Sequence, residues 1–210
     1  MKFPQKHHSL KYIASRIALA IFQKRNPQLP WLVRTALPFI EQRLKPGATG
    51  IEWGSGRSTA WFAERAAHVT TVEDDSAWVE IVKDSLNRQG LASKVDIRQI
   101  AISDETGYPG VATEFAPSSV DFVLVDGSRQ RGECSIAGIG LVREGGMFIL
   151  DNAERYLDSP EAEKLHGYMQ GGERNDPSWD QLRLVLSRWA CSWFSDGTTA
   201  TMVAIRPAAG

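Results

Sequence analysis

Apolar residues recur along the chain with two different spacings. From residue 49 onward, short apolar runs alternate with longer stretches in which apolar residues stand three or four positions apart. Short runs are typical of buried strands, and the longer spacing is typical of amphipathic helices. Strands that alternate with helices predict an α/β fold with a doubly wound, mostly parallel sheet.

The individual elements can be placed from the same pattern. Strands are predicted at residues 49–53, 69–73, 94–100, 119–125 and 146–150, and helices at residues 58–67, 76–89 and 130–142. Asp196-Gly197 between two apolar runs predicts a hairpin of residues 190–194 and 198–205. Residues 103–119 are rich in Gly, Pro, Ser and Thr and are predicted as a loop that can include a short strand, whereas residues 181–189 fit either a helix or a strand.

The N-terminal segment differs from the rest of the chain. Residues 1–40 contain seven Lys or Arg and no Asp or Glu, and they predict an amphipathic helix at 9–25 and a second helix at 31–44. We therefore divide the chain into a basic helical cap, residues 1–47, and a main domain, residues 48–210. We expect the cap to cover a substrate pocket or to form a contact between copies of the chain. Attachment to an anionic membrane surface is the alternative.

Composition excludes several classes of protein. The chain has 210 residues and a net charge of −1, which argues against attraction to nucleic acid. Its two cysteines, Cys134 and Cys191, are far apart, so a disulfide framework and a zinc site are not expected. The longest apolar run near the N-terminus, residues 17–22, is too short to span a bilayer. We predict a cytoplasmic protein.

The segment from residue 51 to residue 75 carries the clearest chemical signal. An apolar strand ends near Glu52 and turns on Gly54 and Gly56 into a helix that Ser58 or its neighbour can cap. Glu73, at the end of the next strand, stands 19 residues after Gly54, where a carboxylate can accept hydrogen bonds from ribose hydroxyls. The pattern predicts a site for an adenosine-bearing cofactor, with a tight strand-to-helix corner that binds nothing as the alternative.

The same segment departs from the dinucleotide-binding pattern. Thr59 stands where the third glycine of that pattern would be, and Glu52 is an unfavourable neighbour for a phosphate. An acid at this position instead suits a ligand that carries an amino group and a sulfonium.

Four sequence segments resemble class I S-adenosylmethionine-dependent methyltransferases. They read E-W-G-S-G-R-S-T at 52–59, V-T-T-V-E-D-D at 69–75, V-D-G at 125–127 and G-G-M-F-I-L-D-N at 145–152. The resemblance covers roughly residues 48–155. It implies a Rossmann-like sheet of seven strands with an antiparallel hairpin at one edge, and S-adenosylmethionine as the cofactor. The implied cofactor-binding residues are Glu52, Gly54, Ser55, Gly56, Ser58, Glu73 and Asp126.

A second group of residues resembles the site of catechol O-methyltransferase-like enzymes. Asp126 follows one strand, and Asp151 and Asn152 follow the next, which implies that their oxygens hold Mg²⁺. Arg129 stands where those enzymes have a catalytic lysine, and it can stabilise negative charge but cannot remove a proton. In the metal-free alternative, Asp126 or Asp151 orients the substrate or acts as the base. Arg131 lines the acceptor pocket or is a solvated loop charge.

These observations predict a methyltransferase that acts on a small-molecule acceptor, with oxygen favoured over nitrogen or carbon. Asp126, Arg129 and Asp151 are its expected catalytic residues. An NAD-linked oxidoreductase is disfavoured by Thr59 and by the lack of a Tyr-x-x-x-Lys motif. The other alternative is a protein that binds an adenosyl cofactor without catalysis.

Overall fold

A computed structural model describes residues 10–101, 103–104, 106–128, 130–158 and 176–208. Within these residues, seven strands form one mixed sheet with the order β3-β2-β1-β4-β5-β7-β6. The strands are β1 (Thr49–Trp53), β2 (His68–Glu73), β3 (Val95–Gln99), β4 (Val120–Val125), β5 (Val142–Leu150), β6 (Ala190–Ser195) and β7 (Ala200–Ile205). The first five strands are parallel, and β7 is antiparallel to β5 and to β6. The predicted doubly wound fold with a terminal hairpin is confirmed.

Helices cover both faces of the sheet. They are α1 (Leu10–Arg25), α2 (Ala36–Glu41), α3 (Arg57–Arg65), α4 (Ser76–Arg88), α5 (Gly107–Gly110), α6 (Arg131–Ile139) and α7 (Pro177–Leu186). Buried side chains of α2, α3 and α4 pack with Phe122 and Leu124 on one face. Those of α6 and α7 pack with Trp53, Val125 and Leu150 on the other. Each face therefore has its own apolar core.

Several element boundaries differ from the sequence predictions. Residues 107–114 form α5 and a short 3-10 turn rather than a loop with a strand, because Tyr108 is buried and anchors the segment. Strand β5 begins at Val142, four residues before the predicted start, and a register shift accommodates Gly145 at φ +72°. The ambiguous stretch at 181–189 belongs mostly to α7, whose first turn is capped by Asp176.

The N-terminal segment is divided between the core and the surface. The second helix is much shorter than predicted, and Leu32, Leu37 and Ile40 are buried in the core against the sheet. In α1, by contrast, four apolar residues that stand three or four positions apart are exposed: Leu10, Ile13, Ile17 and Ile21. No helix in the described part of the chain is long and apolar enough to cross a membrane.

The strand register aligns the ends of the central strands. Trp53 pairs with Val72 on one side and with Val125 on the other, and Val125 pairs with Leu150. The residues that follow these four are therefore level with one another at the carboxyl end of the sheet: Gly54, Glu73, Asp126 and Asp151. Because side chains alternate along a strand, these three acids and Glu52 lie on the face covered by α3.

Candidate active site

A pocket of about 400 Å³ opens at the carboxyl ends of β1, β2 and β4. The strand order reverses between β1 and β4, so the helices that follow these strands go to opposite faces and leave a crevice between them. The pocket is lined by Trp31, Gly54, Ser55, Gly56, Arg57, Ser58, Glu73, Asp74, Asp75, Trp78, Asp126, Gly127 and Ser128. Of the seven predicted cofactor-binding residues, all but Glu52 line it.

The two glycines of the β1–α3 loop have different roles. Gly54 has φ +95°, and a Cβ there would lie 2.7 Å from the backbone nitrogen of Gly127. Gly56 is extended, and a Cβ there would meet only the indole of Trp78, at 3.9 Å. Gly54 is thus required by the backbone, whereas Gly56 keeps the pocket wall free of a side chain.

Thr59 fixes the turn into α3. Its hydroxyl accepts a hydrogen bond of 2.9 Å from the backbone N–H of Gly56, the residue that precedes the helix. The residue that replaces the third glycine of a dinucleotide site therefore holds the loop in shape. Ser58 does not cap the helix, because its hydroxyl donates to Glu52 over 2.7 Å.

Glu73 is held at the pocket wall by backbone donors. Its Oε2 accepts from the backbone N–H and the hydroxyl of Ser55, each over 2.9 Å. Its Oε1 accepts from the N–H groups of Asp74 and Asp75. A carboxylate has about four acceptor sites, and the Ser55 hydroxyl is the one donor of the four that a ligand hydroxyl could replace, because the other three are backbone N–H groups.

Glu52 lies beneath the pocket, behind Ser58. It is fully buried, its Oε1 accepts from Ser58, and its Oε2 has no hydrogen-bond partner among the described residues. Burial raises the pKa of Glu52 to about 8, although the hydroxyls of Ser58 and Thr59 oppose the shift. An unpartnered buried carboxyl oxygen beside the pocket suits a cationic ligand group, because pairing would relieve its desolvation.

The acids that follow β4 and β5, Asp126 and Asp151, are close together, but they do not both line the pocket. Asp126 lines the pocket, and burial raises its pKa. Asp151 is buried and accepts a hydrogen bond of 2.5 Å from the hydroxyl of Thr201 on β7. Burial, together with the charge of Asp126, raises the pKa of Asp151 to about 8. Asn152 donates to Thr199 over 2.7 Å, and of this group only Asp126 faces the pocket.

Arg131, the first residue of α6, joins these strand ends. Its Nε donates to the carbonyl of Gly127 over 2.6 Å, and its Nη1 donates to the carbonyl of Asp151 over 2.5 Å. Its Nη2 lies 3.0 Å from the carbonyl and 3.1 Å from the carboxylate of Asp126, and 3.4 Å from Oδ1 of Asn152. The side chain is only 9% exposed, so it is not a solvated loop charge. The predicted catalytic Arg129 lies outside the described residues.

The expected Mg²⁺ site can be tested against these contacts. Mg²⁺ needs ligand oxygens that converge on one position with near-octahedral geometry. The oxygens of Asp126 and Asn152 instead face the guanidinium of Arg131, and Oδ1 of Asp151 faces Thr201. The residues do not fit a divalent ion in this arrangement.

Two tryptophans form the outer wall of the pocket. Trp78 donates a hydrogen bond through Nε1 to the carbonyl of Ser55 over 2.8 Å. The ring centroids of Trp31 and Trp78 are 6.5 Å apart. Arg57 stacks 5.3 Å from Trp31 and donates to the carbonyl of Gln23 in α1. Sequence reasoning did not assign Trp31 to the site, because it lies far from the glycine loop in the chain. The signal available in the sequence was a tryptophan directly after Pro30, in the segment predicted to cover a substrate pocket.

Comparison with known proteins identifies the fold. No protein-family profile matches the chain, and no curated protein matches it in sequence. An O-methyltransferase from Bacillus cereus, solved in complex with SAH, is 17% identical, with a TM-score of 0.61 over 92% of this chain and 91% of that chain. The chain has the fold of a methyltransferase.

Two further structures share this methyltransferase fold. The O-methyltransferase TomG from Streptomyces achromogenes, involved in tomaymycin synthesis and solved in complex with SAM, is 18% identical, with a TM-score of 0.59 over 99% of this chain and 100% of that chain. A methyltransferase from Geobacter sulfurreducens is 14% identical, with a TM-score of 0.59 over 93% and 90% of the two chains. At these identities the likeness establishes the fold, so the activity has to be argued from the site.

Proposed function

We propose that this protein is an S-adenosylmethionine-dependent methyltransferase that acts on a small molecule, with oxygen as the favoured acceptor atom. The proposal rests chiefly on the pocket at the ends of β1, β2 and β4. The glycine loop and the fixed carboxylate of Glu73 line this pocket, and the unpartnered oxygen of Glu52 is buried beneath it, behind Ser58. The fold supports it, since the B. cereus and S. achromogenes O-methyltransferases were solved with SAH and SAM.

The charge of the pocket favours this cofactor over a dinucleotide. Its lining includes four carboxylates and one guanidinium: Glu73, Asp74, Asp75, Asp126 and Arg57. S-adenosylmethionine carries a sulfonium and an ammonium group, which these carboxylates attract. The pyrophosphate of NAD would be repelled by the same groups.

Methyl transfer asks the protein mainly to position two reactants. The acceptor oxygen attacks the methyl carbon in line with the sulfonium, the new O–C bond forms as the S–C bond breaks, and the neutral thioether leaves. Of the two aspartates that follow β4 and β5, Asp126 is the one that lines the pocket, so we assign it to orient the acceptor hydroxyl and receive its proton. Its raised pKa brings it closer to that of a useful general base. Asp151 supports it from the buried side, through the contacts with Arg131.

The acceptor class follows from the charge of the pocket lining. The acidic pocket lining favours a small molecule over a nucleic acid. Contact between copies of the chain through the N-terminal helices and a cytoplasmic location remain predictions from the sequence.

Cofactor binding tests the proposal directly. SAM or SAH at 100 times its Kd should stabilise the fold by about 2.7 kcal/mol in thermal unfolding, and NAD should not stabilise it. Glu73→Gln should weaken SAH binding by about 1.5–3 kcal/mol in titration calorimetry, because charge-assisted hydrogen bonds are lost. The matched control is Glu114→Gln, which removes a surface carboxylate paired with Arg98.

Two results would reject the proposal. The first is stabilisation by NAD without any response to SAM or SAH. The second is binding without methyl transfer to any component of a metabolite extract supplied with labelled SAM. The second result would identify a protein that binds the cofactor without catalysis.

A further inference from the structure

We infer that the guanidinium of Arg131 takes the place of a divalent metal ion in this site. In this role it is a positioning residue, which fixes Asp126 and the pocket wall for a metal-independent reaction. The inference deepens the proposed function and rests on it for the part that concerns the cofactor pocket. It is carried by the five hydrogen bonds that Arg131 donates to residues at the ends of β4 and β5.

The guanidinium contacts side-chain oxygens of Asp126 and Asn152, two of the three residues expected to hold the metal ion. Nη2 is within 3.4 Å of side-chain oxygens from both Asp126 and Asn152, which belong to different strands. Arginine is always protonated and holds its donors in a rigid plane, so it provides a permanent positive charge with fixed geometry. A divalent ion in contact with the same oxygens would lie against this charge and be repelled.

The remaining bonds connect Arg131 to the backbone of the pocket wall. Its donors reach the carbonyls of Asp126 and Gly127, and both residues line the pocket. The side chain is nearly buried, and the ring of Tyr156 lies 5.8 Å from its guanidinium carbon. Charge-assisted hydrogen bonds in such surroundings are stronger than those at a surface. Arg131 thus fixes where the β4–α6 loop stands relative to the cofactor pocket.

The chain also contains a matched ion pair at the other end of the same two strands. Arg143 of β5 pairs with Asp121 of β4, but Arg143 is about half exposed and remote from the pocket. Replacing it removes an arginine–aspartate pair from β4 and β5 without altering the candidate site. It therefore separates the specific role of Arg131 from the general effect of losing a strand-joining pair.

Metal binding by the unaltered protein is the first test. Mn²⁺ at millimolar concentration is added to the full chain and monitored by electron paramagnetic resonance, with and without SAH. We expect no bound Mn²⁺, and the same unfolding temperature in excess chelator and in excess MgCl₂. Stoichiometric binding of Mn²⁺ that Asp126→Asn abolishes would overturn the inference. This readout needs neither an identified acceptor nor a variant of Arg131.

SAH affinity is the second test. Arg131→Met should weaken SAH binding about tenfold, a loss expected when charge-assisted hydrogen bonds to the pocket wall disappear. Arg131→Lys should restore only part of it, because an ammonium group cannot bond all these oxygens in one plane. Arg143→Met should leave SAH affinity unchanged. Unchanged affinity in a folded Arg131→Met protein, or equal losses in the Arg131 and Arg143 variants, would refute the positioning role.

The two proposals fail separately. If the unaltered chain binds no SAH, the proposed function fails, while the Mn²⁺ measurement still decides whether Arg131 excludes a metal. If SAH binds but Mn²⁺ also binds at Asp126, the methyltransferase proposal stands and the inference about Arg131 is wrong. If Arg131→Met does not fold, Arg131→Lys and the Mn²⁺ test decide the question.

Discussion

At the scale of single residues, the two glycines of one motif have different roles: the backbone conformation requires Gly54, and the space for a ligand requires Gly56. Gly54 adopts a left-handed φ, and a side chain there would collide with the backbone after β4. Gly56 has an ordinary extended φ, and its missing side chain matters only for the space beside Trp78. The sequence motif itself does not distinguish these two roles.

Alanine substitutions should separate them. Gly54→Ala should destabilise the protein by about 2 kcal/mol or more, through backbone strain and overpacking. Gly56→Ala should leave the unfolding temperature nearly unchanged but weaken SAH binding about tenfold, because its methyl group enters the pocket. Gly110→Ala is the control, since a Cβ there meets nothing within 4 Å. Equal effects of the Gly54 and Gly56 substitutions on stability would contradict this division.

Sequence reasoning identified the residues of the β1–α3 loop because a local pattern places them. Glycine spacing and an acid at the next strand end are features of neighbouring residues, and the structure puts both at one pocket. The contacts of Arg131 were not predictable in the same way. They depend on the register of β4 with β5 and on the residue at which α6 begins. The spacing of residues in the sequence does not determine either of these.

At the scale of elements, the N-terminal segment joins two environments. Leu32, Leu37 and Ile40 are part of the core, while Trp31 just before them lines the pocket. Arg57 connects Trp31 to the backbone of α1 through Gln23. The idea of a cap over the site therefore centres on Trp31, rather than on the exposed apolar side of α1.

Removal of the Trp31 ring should affect ligand binding more than folding. Trp31→Ala should weaken SAH binding about three- to tenfold, the range expected when an aromatic contact of about 0.5–1.5 kcal/mol is lost. Trp31→Phe should retain most of the affinity. Ile81→Ala is the control, since Ile81 is a similarly exposed apolar residue on α4. Calorimetry that gave the same SAH affinity for Trp31→Ala and the unaltered chain would exclude Trp31 from the site.

Helices and strands were predictable where buried positions give a regular pattern of apolar residues. They were less predictable where contacts with residues distant in the sequence determine the secondary structure. All residues of β1 and β4 but one in each strand are buried, and the sequence of β4 is mostly apolar. The turn of α5 was not predicted, because Gly and Pro in Gly107–Gly110 suggest a loop, and only the burial of Tyr108 explains its helical form. The start of β5 was not predicted because three exposed polar or glycine residues follow Val142 at the beginning of the strand: Arg143, Glu144 and Gly145.

At the scale of the whole molecule, the site places several carboxyl groups inside the fold. Burial raises the pKa values of Glu52 and Asp151 to about 8, and it also raises those of Asp126 and Glu154. Such groups bind protons more tightly in the folded state than in the unfolded chain. The stability that they support is therefore complete at low pH and is lost as the pH rises towards the folded-state pKa values.

The protein should consequently become less stable between pH 6 and pH 8. Each titrating carboxyl of this kind lowers the free energy of unfolding by about 1 kcal/mol per pH unit in that window, or roughly 2–4 °C in unfolding temperature for a chain of this size. Glu52→Gln replaces the protonated acid by a neutral group of the same shape, so it should reduce the slope and raise the unfolding temperature at pH 8. Glu114→Gln, on the surface, should leave the slope unchanged. Calorimetric scans of the ligand-free protein across this range provide the measurement. An unfolding temperature that stays constant or rises with pH, or an unchanged slope in Glu52→Gln, would show that Glu52 is already ionised in the folded state.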